Sequence, residues 1–403
     1  MNVAKQSLLC HIFLSVSKMN SEFEKLDFSC VETPCFLIEE SLVRRNLELV
    51  TDVAHRSGAE IIMAFKAFSI WRLFDITRQF IPLSTASSLN EARMAFHKLG
   101  SRPHTYAPAY RPDEIGELVS LSSHITFNSL SQFFRYRELC LKSGVSCGIR
   151  INPEFSDVET DLYNPCAPGS RLGVIRDALP DILPDGVEGF HFHTLCESTS
   201  YDLERTLRVV EERFGEYFPR LKWINFGGGH LMTRDGYDVD HLVTLIRDFR
   251  SRYPWLQVIL EPGSAHVWRT GTLVASVLDI VENHGIRTAI LDVSFACHMP
   301  DCLEMPYQPY IVGAESIERN EEGHVYRMGG ISCLSGDFVG YWRFDHELAI
   351  GERIVLEDMN HYTNVKTTMF NGVSHPSIAL RRLDGTVEYL RRYTFDDYLA
   401  RMS

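Results

Sequence analysis

The stretch Ile61-Ile62-Met63-Ala64-Phe65-Lys66 sets five apolar residues in a row and closes on a lysine. A run this short and this apolar reads as a strand buried on both faces, as strands of parallel sheets are. Outward from it the same kind of segment recurs. Residues 36–38, 124–127, 146–151, 189–193, 223–226 and 258–260 are short, apolar or alternating, and mostly bounded by turn residues. Between them lie amphipathic stretches at 41–57, 88–99, 129–142, 202–214 and 240–253, several opened by a Ser or Asp suited to capping a helix N-terminus. Alternation of this kind over about 230 residues predicts an α/β fold with a parallel sheet, and the length suits a closed (β/α)8 barrel. After Gly271 the pattern changes. Residues 272–281, 288–293, 324–328 and 353–356 read as strands with few long helices between them, which predicts a mainly β C-terminal domain.

Composition narrows the function classes. The chain has 403 residues, 45% of them hydrophobic, which is enough for a large core and suggests two or three domains. Asp and Glu outnumber Lys and Arg by 53 to 40, a formal net charge of -13. That balance weighs against non-specific binding to nucleic acid or anionic lipid, and it permits a cationic substrate. Ten cysteines are scattered without a C-x-x-C motif, so neither zinc nor a disulfide framework is indicated, and reduced cytoplasmic thiols are the simpler reading. No apolar run approaches the roughly 20 residues that cross a bilayer. The first one, residues 8–16, is interrupted by Cys10 and His11 and has no small-residue cleavage site after it, so it makes a poor signal peptide. Translation from Met19, or a loose extension over residues 1–19, are the other readings of this segment.

Four features at the ends of the expected strands can carry chemistry. Lys66 would project from the C-terminal mouth of the first barrel strand, where a partly desolvated amine can hold an aldehyde as an imine. Taken alone, a lysine there is most often a solvated strand end. Gly227-Gly228-Gly229 follows the strand at 223–226 and would let backbone approach a phosphate and offer N–H donors; by itself it is also an ordinary tight turn. Glu261, after the strand at 258–260, places a carboxylate at another mouth, where a plain loop residue is the alternative. Phe190-His191-Phe192-His193 alternates, sending both imidazoles to one face. Metal ligation is the rival reading of that pair, but no third ligand stands at a recognisable spacing, and stacking on an aromatic cofactor is preferred.

In this order the four elements resemble the fold type III pyridoxal-phosphate decarboxylases, whose barrel is of the alanine-racemase-like type and which include the ornithine and diaminopimelate enzymes. Further motifs resemble the carboxynorspermidine/carboxyspermidine branch of that family, over about 31–380. They are Thr33-Pro34, Ala64-Phe65-Lys66-Ala67, the 191–197 and 225–230 stretches, His298-Met299-Pro300-Asp301, Glu304-Met305-Pro306-Tyr307, Ser332-Cys333-Leu334-Ser335-Gly336-Asp337 and His361-Tyr362-Thr363. The resemblance implies pyridoxal 5'-phosphate held on Lys66, with His193 stacked on its ring and Glu261 paired with its pyridine nitrogen. Gly227, Gly228 and Gly229 would cradle the phosphate, and Tyr362 would donate a hydrogen bond to it. Cys333 would protonate Cα after CO2 leaves, with Asp337 close by, in the active site of a partner subunit; a homodimer with shared sites follows from this.

The resemblance also implies a carboxylated polyamine as substrate, converted to norspermidine or spermidine. Its ammonium groups need acidic partners in a poorly hydrated site. Asp301 and Glu304 are the candidates, with Asp292 behind them. Ser264 lies on the substrate side of Glu261-Pro262-Gly263, where ornithine-type members carry arginine and carboxynorspermidine-type members an acidic residue; it matches neither. An amino-acid decarboxylase of the same fold and a non-catalytic binding protein are the alternatives, the second weakened by the presence of both Lys66 and Cys333. The expected organisation is an extension over 1–30, a strand at 31–40 given to the β domain, the cofactor-binding barrel over 41–270 and the β domain over 271–403.

Overall fold

The computed structural model describes residues 21–158, 164–304, 307–319 and 321–403. The stretch at 8–16, Met19, and Met305-Pro306 of the 304–307 motif lie outside them. The chain forms two units, Leu42–Trp268 on one hand, and Arg269–Ser403 with the segment up to Ser41 on the other.

The first strand, β1 (Cys35–Glu39), belongs to the second unit. The barrel begins with β2 (Glu60–Ile61) and β3 (Met63–Ala64), two halves of one strand interrupted at Ile62. It continues through β4 (Ser84–Ala86), β5 (His104–Tyr106), β6 (His124–Phe127), β7 (Ser146–Arg150), β8 (Val187–His191), β9 (Trp223–Asn225) and β10 (Gln257–Leu260). All pair in parallel, in the order β2-β10-β9-β8-β7-β6-β5-β4-β3. Because β2 pairs β10 while β3 pairs β4, the interrupted strand closes the ring, and the barrel has the expected eight positions. Ile62 serves the closure: its amide donates to Leu260 at 2.9 Å, and the next amide, Met63, donates to Leu83 at 3.0 Å.

The helices follow from patterning and capping. Ser129 caps Leu130–Ser143, and Thr199 with Asp202 forms a reciprocal capping box on Ser200–Phe214. The latter buries Leu203, Leu207, Val210 and Phe214, the 3.6-residue stripe that the sequence displays. The 88–99 stretch departs from expectation. It is α-helical only over Leu89–Met94 and widens into a π turn over Ala95–Leu99. Inside the barrel, Trp223 fills the space that two glycines leave: a β-carbon on Gly189 would lie 2.0 Å from its ring, and one on Gly148 would lie 2.2 Å away. Strands β4 and β5 escape a sequence reading because each has three residues and few of them are apolar.

In the second unit, β11 (Gly271–Asn283), β12 (Ile286–Leu291), β13 (Ala314–Ser316), β14 (His324–Gly329), β15 (Phe338–Phe344), β16 (Arg353–Glu357), β17 (Ser377–Arg381) and β18 (Val387–Arg391) form one sheet with β1. Strand β1 pairs antiparallel with β11 and parallel with β17. Phe36, Leu273, Val277, Leu291, Tyr326, Trp342 and Leu356 are among the buried side chains of its core. Strands β13, β15, β17 and β18 were not expected from the sequence; β13 and β18 are short and carry charged residues, whereas β15 and β17 hold apolar runs that the sequence displays.

Candidate active site

The residues that end the barrel strands meet at one mouth. Lys66 follows β3 by two residues, and its Nζ lies 3.3 Å from His193 Nε2. His193 Nδ1 accepts the Gly228 amide at 2.7 Å. That bond fixes the tautomer: the neutral ring carries its proton on Nε2 and directs it at the lysine. Both groups are biased toward their neutral forms. Burial among the mouth residues pushes the Lys66 ammonium below its ordinary value, opposed by Glu261 and reinforced by Arg150, while burial followed by the charges of Lys66 and Arg150 pushes His193 well down.

Glu261 faces the lysine from the end of β10. Its Oε1 accepts from Asn225 Nδ2 at 2.7 Å, and its Oε2 lies 3.6 Å from His191 Nε2. Burial raises the carboxyl, opposed first by the Asn225 hydrogen bond and then by the charges of Lys66 and Arg150. The two ring nitrogens of His191 are buried without a hydrogen-bond partner. Both expected histidines therefore turn toward the mouth, although β8 stops at His191 and His193 lies beyond it.

The glycine loop contributes closeness more than donors. Its first two amides are already engaged, Gly227 with Asn225 Oδ1 at 2.8 Å and Gly228 with His193. A β-carbon on Gly227, Gly228 or Gly229 would sit 2.3, 2.5 or 2.3 Å from the carbonyl oxygens of Phe192, Glu261 and Leu195. Gly227 (φ 71°) and Gly229 (φ 91°) also adopt the left-handed backbone that glycine alone takes readily. Of the three amides expected to face a phosphate, those of Gly227 and Gly228 are bonded within the protein, to Asn225 and His193.

Two residues of this site were not anticipated. Asn225 bridges the glycine loop and Glu261, a role invisible until β9 and β10 are paired. Arg150 ends β7, donates to the His193 carbonyl at 3.1 Å and stacks its guanidinium 4.8 Å from the Tyr106 ring. A lone arginine at a strand end carries no signal in one sequence. Ser264 opens the short turn Ser264–His266 beyond Glu261 and is buried.

The remaining candidates belong to the second unit. Cys333 is exposed in the turn between β14 and β15. Asp337, expected on the substrate side, is instead buried and engaged: Oδ1 accepts the Ala296 amide at 3.0 Å, and Oδ2 accepts the Ser332 amide and hydroxyl at 3.1 and 2.6 Å. Glu304, the other candidate for a substrate ammonium, pairs with Lys366 Nζ at 2.6 Å. Asp301 Oδ2 accepts from Tyr307 at 2.8 Å and from Thr363 Oγ1 at 3.5 Å, and Oδ1 is buried with no hydrogen-bond partner among the described residues. Asp292 accepts the Ser276 amide at 2.8 Å. Tyr362 is held at φ 50°, ψ -52°, a strained backbone of the kind that clusters at functional sites. Among the described residues no group of three or more His, Cys, Asp and Glu is arranged around a metal position.

An amine reached from solvent at the barrel mouth, an imidazole fixed by a backbone amide, a largely buried carboxylate and side-chain-free backbone together fit an aldehyde-bearing pyridine with a phosphate. The family described as pyridoxal-dependent decarboxylase, C-terminal sheet domain, matches residues 28–360. The chain belongs to that family. Pyridoxal phosphate is accordingly its cofactor. The chain is 48% identical to the carboxyaminopropylagmatine decarboxylase of Synechocystis sp., covering 93% of this chain and 96% of that one. It is 41% identical to the carboxynorspermidine/carboxyspermidine decarboxylase of Campylobacter jejuni, covering 92% and 98%. The crystal structure of carboxynorspermidine decarboxylase complexed with norspermidine, from Campylobacter jejuni, is similar at a TM-score of 0.86 and 40% identity over 92% of this chain and 100% of that one.

Proposed function

We propose that the chain decarboxylates a carboxylated polyamine, carboxynorspermidine or carboxyspermidine, giving norspermidine or spermidine in polyamine biosynthesis. The observation that carries the reading is the convergence of Lys66, His193 and Glu261 at one barrel mouth, in a chain 41% identical to an enzyme of that name. The cofactor, when bound, supplies an electron sink for the pair left as CO2 departs.

The protein's own residues then have separable tasks. Lys66, His193, the 227–229 backbone, Glu261 and Tyr362 hold and orient the cofactor. Glu261 keeps a proton at the pyridine nitrogen, and Asn225 aims its carboxylate through the 2.7 Å bond. Lys66, whose ammonium is disfavoured at the barrel mouth, would hold the cofactor's aldehyde through Nζ with loss of water, and would be freed as an amine when the substrate's amine takes its place. Cys333 delivers the proton to Cα in the site of a second copy. A homodimer is supported by the apolar rim of the Cys333 turn: Ile331, Leu334, Phe338 and Phe370 are between 39% and 49% exposed. Asp301 Oδ1, a buried acceptor without a donor, suits an ammonium of the substrate tail. We place the enzyme in the cytoplasm, where Cys333 stays a thiol; among the described residues no helix is long and apolar enough to cross a membrane.

The Synechocystis relative favours a second reading, in which the substrate is carboxyaminopropylagmatine, whose tail ends in a guanidinium. Steady-state kinetics with added cofactor, on all three compounds and on ornithine, diaminopimelate and arginine, separate the readings. The highest kcat/KM is expected for a carboxylated polyamine; a preference for an amino acid, or no turnover of any, refutes the proposal.

A further inference from the structure

We propose that Asn371 is a positioning residue that fixes the backbone of Cys333. The inference rests on the reading of Cys333 as the proton donor. From Gly330 to Asp337 the chain has no regular structure, and Cys333, Leu334, Ser335 and Gly336 are exposed. Two side chains restrain it. Asp337 takes both donors of Ser332, and Asn371 Oδ1 accepts the Cys333 amide at 2.8 Å.

Asn371 is itself held in place. It sits in the short turn Phe370–Gly372 at φ 57°, ψ 13°, a left-handed conformation that asparagine tolerates better than most side chains. That turn is tied to Cys297, whose Sγ donates to the Phe370 carbonyl at 3.6 Å and whose carbonyl accepts the Thr368 amide at 2.8 Å. The neighbouring Ala296 amide is the one that Asp337 Oδ1 accepts. The contacts form a closed circuit, from 296–297 through Asp337 to Ser332 and Cys333, and back through Asn371 and Phe370. Such a circuit lowers the conformational freedom of one exposed residue at its centre. A proton donor needs that restraint, because it must reach a single carbon at hydrogen-bond range, and a displacement of about 1 Å can cost on the order of 10²-fold in rate.

The test uses the holoenzyme with Asn371→Gly, which keeps the left-handed turn and deletes the acceptor, and Asn371→Asp, which keeps an acceptor. Hydrogen exchange at the Cys333 amide is expected to rise about tenfold in the glycine variant and to stay near wild type in the aspartate variant. In the glycine variant kcat should fall at least about tenfold with KM within about threefold, and the aspartate variant should recover most of that loss. Wild-type exchange in Asn371→Gly overturns the proposal. So does faster exchange with undiminished kcat when Cys333→Ala is impaired. If Cys333→Ala itself turns over normally, the donor reading fails alone, and exchange at the Cys333 amide decides whether the clamp exists.

Discussion

Glu261 and Asp301 are both buried acceptors, yet their surroundings set them different tasks. Glu261 is surrounded by Asn225, His191 and Lys66; burial raises its carboxyl, and the Asn225 hydrogen bond with the charges of Lys66 and Arg150 opposes that rise. Glu261→Gln should keep the cofactor, seen as unchanged visible absorbance, while kcat drops about 10²-fold or more, the usual scale for removing a charge that stabilises a transition state. A near-normal kcat would refute its electronic role. Asp301 has one oxygen bonded to Tyr307, and the other has no hydrogen-bond partner among the described residues. Asp301→Asn should lower kcat/KM for carboxynorspermidine by at least about tenfold, or about 1.4 kcal/mol, with the absorbance unaltered. Loss of cofactor instead would make it a structural residue. His266 gives a stability test. Burial depresses its pKa to about 4, so between pH 6.5 and 4 the unfolded chain binds a proton that the folded one does not, and stability falls with acidification over that window. The contribution is about 3 kcal/mol. His266→Gln should show a smaller loss of melting temperature from pH 7 to pH 4.5 than wild type; parallel losses would mean that the imidazole is not the titrating group.

At the scale of elements, the barrel strands are informative because glycine and bulk are distributed unevenly among them. Trp223 in β9 occupies space vacated by Gly148 in β7 and Gly189 in β8, and it donates to Ser146 Oγ at 2.9 Å. Gly189→Ala would place a methyl 2.0 Å from the indole, which a filled core cannot absorb without moving a strand. A destabilisation of about 1 to 3 kcal/mol or more is expected, read as a fall in melting temperature. An unchanged value would show that Trp223 has another place to go. The longest helices and strands were legible because their stripes run over many residues. Strands β4 and β5 were not, since three residues hold no period, and their identity comes from the neighbours that pair with them.

At the scale of the whole molecule, the proposed sharing of sites makes a quantitative expectation. Lys66→Ala and Cys333→Ala should each be inactive as homodimers. When the two are mixed and allowed to exchange subunits, half of the dimers are mixed and each holds one intact site of two, so about a quarter of wild-type activity should return. No recovery on mixing, in a sample shown by mass to contain mixed dimers, would mean that both residues act within one chain. The sequence by itself determined the β-α alternation, the mainly β region that follows it, and the order of Lys66, His193, the glycines and Glu261, because these depend on periodicity and on residue types at strand ends; closure of the barrel on eight positions came from the pairing of β2 with β10 and of β3 with β4. It could not say which of those groups were already engaged. The tertiary structure decided that Glu304 is paired with Lys366, that Asp337 supports the turn of Cys333, that Gly227 and Gly228 have given up their amides, and that Asn225 and Arg150 join the site. The physical reason is that a hydrogen bond consumes a donor or acceptor, and its partners lie tens of residues away along the chain, where only the folded backbone can bring them within reach.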